Sequence, residues 1–555
     1  MKRAKINNKN KKIFFIKNIF LFLIFFGIFF CDFFYFFFKI NFFNLGFIFW
    51  FLGYFVLLIY SIYSLISIFK TSLKIKSFVS IFMIFIIFFL LLINANNSAN
   101  LSGETTQEAS CFLNNLKEKD YGFWNACFLG YPLRGYYLLG LPSYIFGRNL
   151  FNLNLGGFLY FLINFPIFVF TLFLLTYRKK IYDFIIAILL SFFFHLHYFN
   201  HFAFLYEQSI FPLLFSLSAF SFYYQFINEE KPEKIILLGL ILQYLIFSYT
   251  TALMTVLIIV FLLFRPLFSN GKYKGILFLI IITTILSIIF SFKFRIDVNI
   301  FNFKERGFNF LLKDLIDGVE HLFFQNKGTN FVSPIFHFVF TFFITAPLFG
   351  FFGWESFLLA FWIWGVIVFS ILSKGYSYYS VDFRLHRTLV ILPAFFYIVI
   401  NAVKKFFRFK DSKKELLFAL FIFGLFYLTG YFFQLNYLSS RKLSRHYALI
   451  DYIKKEIINK KAIAPSHIIF SKKVYQEYIS LNDSLQYFLP GMTYSFLEDI
   501  NDEKINKEKT IIFLMDEENY KENNFAFWLK EMNYEYIGDY IFDGYERLFV
   551  YFRNK

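Results

Sequence analysis

Charge is scarce in this chain. Only 17% of its 555 residues are Asp, Glu, Lys or Arg, against 58% hydrophobic. A soluble protein carries nearer a quarter charged residues, so one large soluble globule is excluded. Cysteine is scarcer still: Cys31, Cys111 and Cys127 are all there is, with no CxxC pair. No Gly-rich loop suited to cradling phosphates and no nucleotide-sugar signature occurs, which argues against a donor bound as a soluble nucleotide. Polar and apolar residues do not alternate through the apolar stretches, which argues against a membrane β-barrel. There is no internal repeat. No small-residue cleavage site follows the basic start MKRAKINNKNKK, and Cys31-Asp32 leads into more Phe, so the first apolar segment reads as a retained helix.

What is present is apolar sequence in long runs. Stretches of more than about 18 apolar residues recur along most of the chain, the length a helix needs to cross a bilayer. The 95 Phe and 38 Tyr reflect the same bias that enriches Ile, Asn and Lys, and do not by themselves mark a sugar-binding platform. Spans are expected near 13–38, 44–66, 77–95, 155–176, 182–198 and 208–226. The run 235–264 splits into two at the polar notch Ser248-Tyr249-Thr250-Thr251. Further spans are expected near 275–293, 335–352, 357–373, 388–403 and 416–435. The segment 135–150, interrupted and closed by Gly147, reads as a helix lying along the interface. The net charge of +18 sits in clusters beside these runs, among them Lys70, Lys74 and Lys76, then Arg178, Lys179 and Lys180. That placement follows the positive-inside rule and points to anionic lipid, not nucleic acid. The expected fold is a polytopic α-helical membrane protein of about 13 spans, with the N-terminus cytoplasmic. From about residue 440 charges appear throughout. HIIF, TIIFL, YEYIGDYIF and RLFVYF read as strands, and YALIDYIKKEII and FAFWLKEM as helices. Residues 1–439 are thus expected as a membrane domain and 440–555 as a small extracytoplasmic α/β domain. The localisation expected is the cytoplasmic (inner) membrane.

Three polar clusters stand at the expected outer boundary. The first is the loop 96–134, NNSANLSGETTQEASCFLNNLKEKDYGFWNACFLGYPLR, which returns toward the bilayer at Tyr131-Pro132. Glu104 and Glu108 are four residues apart and share a face if the segment is helical. From spacing alone they read as ordinary solvated charges. Cys111 and Cys127 fall in the same loop, and an oxidising compartment would permit a disulfide between them or leave two thiols. The second cluster is HLHYFNHFAFLYEQS, with His195, His197, His201 and Glu207. His197 and His201 share a helical face, but His195 lies about 160° from His197, so the set reads first as interfacial histidines and no metal site is assigned. The third holds Arg384 and Arg387, with Asp382 and Pro393 nearby. Interfacial anchoring explains them. So does a lipid phosphate, which needs a permanent cation with a forked donor set.

In series, Glu108-Ala109, Lys119-Asp120-Tyr121, Tyr131-Pro132 and Phe146-Gly147 resemble the first external loop of the GT-C glycosyltransferases. These are the polyprenyl-phosphate-sugar enzymes that include the protein O-mannosyltransferases and the lipid A aminoarabinose transferases. The likeness covers about 60 residues, with Gln107-Glu108 or Gly103-Glu104 where the family often has Asp-Glu. It implies a GT-C-like membrane domain whose first external region, 96–154, carries interfacial helices. It implies transfer of a hexose or pentose, with inversion, from a polyprenyl phosphate to a hydroxyl of a protein, lipid or glycan acceptor in the cell envelope. Glu104 or Glu108 would be the base, Glu104 preferred because it follows the Ser102-Gly103 turn. Tyr131, His197, His201, Glu207, Arg384 and Arg387 would bind substrate, the arginines near the lipid phosphate. Some members use a divalent cation and others do not, and that stays open here; no other cofactor is expected. The alternative from a different class is a transporter or flippase of a lipid-linked glycan. Such proteins place ionisable groups near the bilayer midplane and often carry repeats.

Overall fold

The computed structural model describes residues 8–72, 103–119, 134, 137–175, 183–185, 187–188, 191, 214–248, 252–268, 273–297, 445–459, 467–470, 485, 487–491, 493–496, 510–516, 525–531, 533–542 and 546–554. The expected spans near 77–95 and from 335 to 435, and the loop 296–333 beyond its first residues, lie outside the described residues.

Long apolar segments become long helices because a chain in lipid must satisfy every backbone N–H and C=O internally. Helix α1 is Asn8–Phe38 and α2 is Phe43–Ser72. Helix α3 is Gly103–Glu118, α4 is Tyr137–Phe146 and α5 is Leu150–Leu175. Helices α6 (Leu214–Glu229), α7 (Pro232–Ile246), α8 (Ala252–Phe268) and α9 (Lys274–Asp297) follow. Among the described residues, four helices are long and apolar enough to cross a membrane, within α1, α2, α5 and α9. The expected split of 235–264 is present: α7 ends at Ile246 and α8 opens at Ala252. The Ser248 hydroxyl there donates to the Leu245 carbonyl at 2.8 Å, a local bond that competes with helix continuation. Pro232 starts α7 at a first-turn position that needs no amide donor.

The helices pack as a bundle with a polar grain. Apolar side chains gain nothing by leaving lipid for one another, so contact is selected by close packing and buried hydrogen bonds. Tyr60 of α2 donates to Gln225 of α6 at 2.8 Å, and Gln225 donates to Thr171 of α5 at 2.8 Å. Ser218 of α6 bonds Asn164 of α5. Gln243 of α7 donates to Ser287 of α9 at 3.1 Å, and Tyr244 of α7 to the Trp50 carbonyl of α2 at 2.8 Å. The opposite faces of α1 and α2 expose Leu23, Phe30, Phe37, Phe55 and Ile59. A wide apolar surface of this kind is suited to lipid, not water.

The two ends of the bundle differ. At one end Lys17 of α1 pairs with Glu233 at 2.9 Å and Lys231 with Glu229 at 3.1 Å. In the segment NEEKPEK, where α6 gives way to α7, Lys234 is buried. Its ammonium donates to Gln225 at 2.9 Å and lies 4.2 Å from the centre of the Tyr60 ring. Burial is tolerated because hydrogen bonds and aromatic faces replace its water. Asp32 stands fifteen residues beyond Lys17 on α1, about 22 Å along the axis, and marks the other end, where α3 and α4 sit.

Helix α4 ends where the sequence expects, at Gly147, whose φ of 92° is open to glycine at little cost. Asn149 then caps α5, accepting from the Asn152 amide at 2.8 Å. Helix α4 does not lie free on the interface. Its residues Tyr137 to Gly140 are buried, with Pro142 and Ser143 beyond them.

The C-terminal region is a small α/β unit. Helix α10 (Arg445–Tyr452) runs into a π-helix at Ile453–Asn459. Strands β1 (His467–Phe470), β2 (Thr493–Phe496), β3 (Thr510–Asp516), β4 (Glu535–Phe542) and β5 (Glu546–Asn554) follow, with α11 (Phe525–Glu531) before β4. The sheet order is β2-β1-β3-β5-β4. Strands β2, β1 and β3 are parallel, and β5 is antiparallel to both β3 and β4. The four strands read from the sequence are present. Strand β2, TYSF, is additional; it is too short and too polar to be seen by its own pattern.

Helices α4 and α5 cross closely at Gly156, where an added Cβ would fall 2.7 Å from the Leu138 carbonyl oxygen. Backbone cannot yield as a side-chain tip does. Gly156→Val is therefore expected to destabilise the fold by at least about 2 kcal/mol, read as a lowered melting temperature and reduced monodisperse yield in detergent. Unchanged melting would place the α4–α5 crossing elsewhere.

Candidate functional site

Helix α3 forms where the loop carries GETTQEASCFLNNLKE. Glu104 falls in its first turn and Lys117 in its last, both placed favourably against the helix dipole. Lys119 closes it in a left-handed conformation, φ 54°. One helix thus runs through both glutamates, so the shared face expected for Glu104 and Glu108 is met. Glu108 stands one turn before Phe112 on nearly the same azimuth, about 40° apart.

Three contacts hold α3. Phe112 is buried with its ring on Gly140 of α4, 4.8 Å between ring centres from Tyr137 of α4 and 6.3 Å from Phe47 of α2. Asn41, in the α1–α2 turn, donates to the Lys119 carbonyl at 3.1 Å. On a different arc, Ala109 and Leu113 pack into the core of the C-terminal unit, with Leu449, Ile450, Ile453, Ile468 and Phe470. Cys111 is disulfide-bonded. Cys127, its expected partner, lies outside the described residues. Cys31 is a free, buried thiol.

The C-terminal unit docks on the same structure from above. Tyr487 is buried, hydrogen-bonded to Ser143 of α4, and donates to the Asn149 carbonyl at 3.3 Å. Burial pushes its phenol up to about 12, against the opposing pull of Ser143 and Arg148, so it stays a donor at neutral pH. Leu153 of α5 adds to the apolar part of the contact.

Beneath α4 lies a feature the sequence reading did not single out. Arg134 is completely buried and forks onto Asp32 of α1, also completely buried. Its Nη1 donates to Asp32 Oδ2 at 2.9 Å, and its Nη2 to Asp32 Oδ1. The guanidinium lies 4.0 Å from the centre of the Phe247 ring and 4.9 Å from that of Trp50. The Arg134 carbonyl accepts from Tyr54 of α2. Two opposite charges cancel here inside apolar walls. Breaking such a pair from one side costs about 3–5 kcal/mol, because the other charge is stranded. A signal was available: Asp32 is the one acidic residue in the run 13–38, and an ionisable group in an apolar helix calls for a partner.

Of the residues expected at the site, Glu104 and Glu108 are placed on one helix at the end of the bundle covered by the C-terminal unit. Tyr131, His197, His201, Glu207, Arg384 and Arg387 lie outside the described residues. Among the described residues no group of three or more His, Cys, Asp or Glu could hold a metal ion.

No protein-family model matches the chain, and no curated protein matches it significantly by sequence. Among solved structures it is similar to ArnT from Cupriavidus metallidurans bound to undecaprenyl phosphate. The TM-score is 0.39 at 9% identity, covering 84% of this chain and 97% of that one.

Tyr487→Phe removes one buried hydroxyl and its bonds to α4 and the α4–α5 turn. The expected cost is about 1–2 kcal/mol, concentrated at the docking contact. Hydrogen exchange should rise along α10 and β1 more than in α1 or α2, and equal protection throughout would show that Tyr487 does not hold the contact.

Proposed function

We propose that this protein is a membrane glycosyltransferase that takes a sugar from a polyprenyl phosphate at the bilayer boundary. The observation that carries the reading is α3: two carboxylates on one face of a helix clamped between an apolar bundle and a soluble unit. Support also comes from the order of the loop. Glu108-Ala109 lies within α3, and α4 ends at Phe146, immediately before Gly147.

The chemistry asked of the site is modest. An acceptor hydroxyl oxygen attacks the anomeric carbon while the bond from that carbon to the phosphate oxygen breaks. The hydroxyl proton passes to Glu104 or Glu108 as general base. The leaving polyprenyl phosphate is stable as an anion, so no strong general acid is needed. Arg384 and Arg387 would stabilise its growing charge. Attack opposite the leaving group inverts the sugar. Under the positive-inside reading, α3 and the C-terminal unit stand on the outer face of the cytoplasmic membrane. The soluble unit, covering α3, is placed to select the acceptor.

The test is transfer in reconstituted membranes from a polyprenyl-phosphate sugar, comparing wild type with Glu104→Gln, Glu108→Gln and Arg384→Ala. Loss of the base is expected to lower kcat by about 10²–10⁴-fold in one of the two glutamine variants. Wild-type transfer in all three removes the roles assigned. Movement of the lipid-linked sugar across the bilayer without its consumption would instead identify a transporter.

A further inference from the structure

We propose that Asp32 and Arg134 are positioning residues, setting where the carboxylate helix α3 stands over the bundle. This rests on the transferase reading for its catalytic consequence, but the positional claim stands on geometry alone.

A continuous set of contacts runs from the pair to α3, the helix that bears the carboxylates. Asp32 fixes the Arg134 guanidinium by two hydrogen bonds. Tyr54 fixes the Arg134 backbone from α2. Three residues on, Tyr137 packs against Trp50 of α2 at 5.1 Å between ring centres and against Phe112 of α3 at 4.8 Å. Phe112 rests on Gly140, one turn along α4 from Tyr137. Glu108 precedes Phe112 by one helical turn. Thus α1 and α2 grip the entry to α4, and α4 grips the middle of α3.

The pair itself is not a candidate for the reaction. Both side chains are wholly enclosed, and each carboxylate oxygen of Asp32 already accepts from the guanidinium. A forked pair is directional where an apolar contact is not: two parallel N–H···O bonds fix distance and rotation together. Leu and Met at these positions would fill comparable space and leave the segment free to slide. That is the reason for a salt bridge at a place where apolar packing would also be stable.

The experiment uses the full chain in nanodiscs, with spin labels at two exposed positions, Asn44 at the start of α2 and Asn114 on α3. The variant is the apolar pair Asp32→Leu with Arg134→Met, which removes both charges and strands neither. The expected result is a broadened or shifted label-to-label distance distribution with little change in melting. Transfer should lose at least tenfold in kcat with KM unchanged, because reactive geometry is altered and carrier binding is not. Arg134→Lys keeps the charge and loses the fork. It should broaden the distances too, and it serves if the double variant does not fold. A wild-type distance distribution in these variants overturns the positional claim whatever the activity. Broadened distances with wild-type kcat overturn the link to catalysis. If wild-type protein transfers no sugar, the transferase reading fails while the distance result still decides the positional claim.

Discussion

The Asp32–Arg134 pair is the constraint on which the described structure turns. It is the place where the chain leaves its apolar bundle and begins to build something with polar purpose. A carboxylate in an apolar helix is expensive unless a cation meets it inside the protein. Asp32 therefore requires that Arg134 be brought to this spot inside the bundle. Once it is, α4 starts at Tyr137, ends at Gly147, and presents Gly140 to Phe112 of α3. The position of the loop helix follows from a charge buried on α1, more than seventy residues earlier in the sequence.

Above this pair the protein changes solvent. Helices α1 and α2 turn apolar faces outward, while α3 carries Glu, Thr and Gln. The C-terminal unit covers that end of the bundle through Ala109, Leu153 and the buried hydroxyl of Tyr487. It is thus joined to α3 and α4, and α3 stands between the bundle, α4 and the sheet. The proposed transfer would bring a lipid-borne donor from one side of α3 and a water-borne acceptor from the other.

Much of this was legible in the sequence, and the reasons are specific. Apolar runs of bilayer length fix helices because no other backbone satisfies its hydrogen bonds in lipid, so α1, α2, α5 and α9 appear where read. Ser248 to Thr251 broke one run and Gly147 closed another, both through local backbone chemistry. The strands of the C-terminal unit were readable wherever β-rich segments stood between polar turns; TYSF was not, being four residues of mixed polarity. The i, i+4 spacing of Glu104 and Glu108 became a shared face because a helix formed there. What could not be read was contact between distant segments. Nothing local to Asp32 names Arg134, 102 positions away, and nothing in NEEKPEK tells that Lys234 turns inward to Gln225 and Tyr60. Under the proposed transfer, which of Glu104 and Glu108 would serve as base is likewise a matter of distances to a substrate, not of spacing.

The central claim is that a lipid-phosphate sugar meets the carboxylate face of α3. The most direct measurement is an electron cryo-microscopy structure of the full chain in nanodiscs with a polyprenyl phosphate. The account predicts phosphate density at the end of the bundle covered by the C-terminal sheet, with Glu104 or Glu108 facing the space where the sugar would extend. Density for the phosphate at the opposite end, beside Lys17 and Glu233, or at the bilayer midplane away from α3, would contradict it.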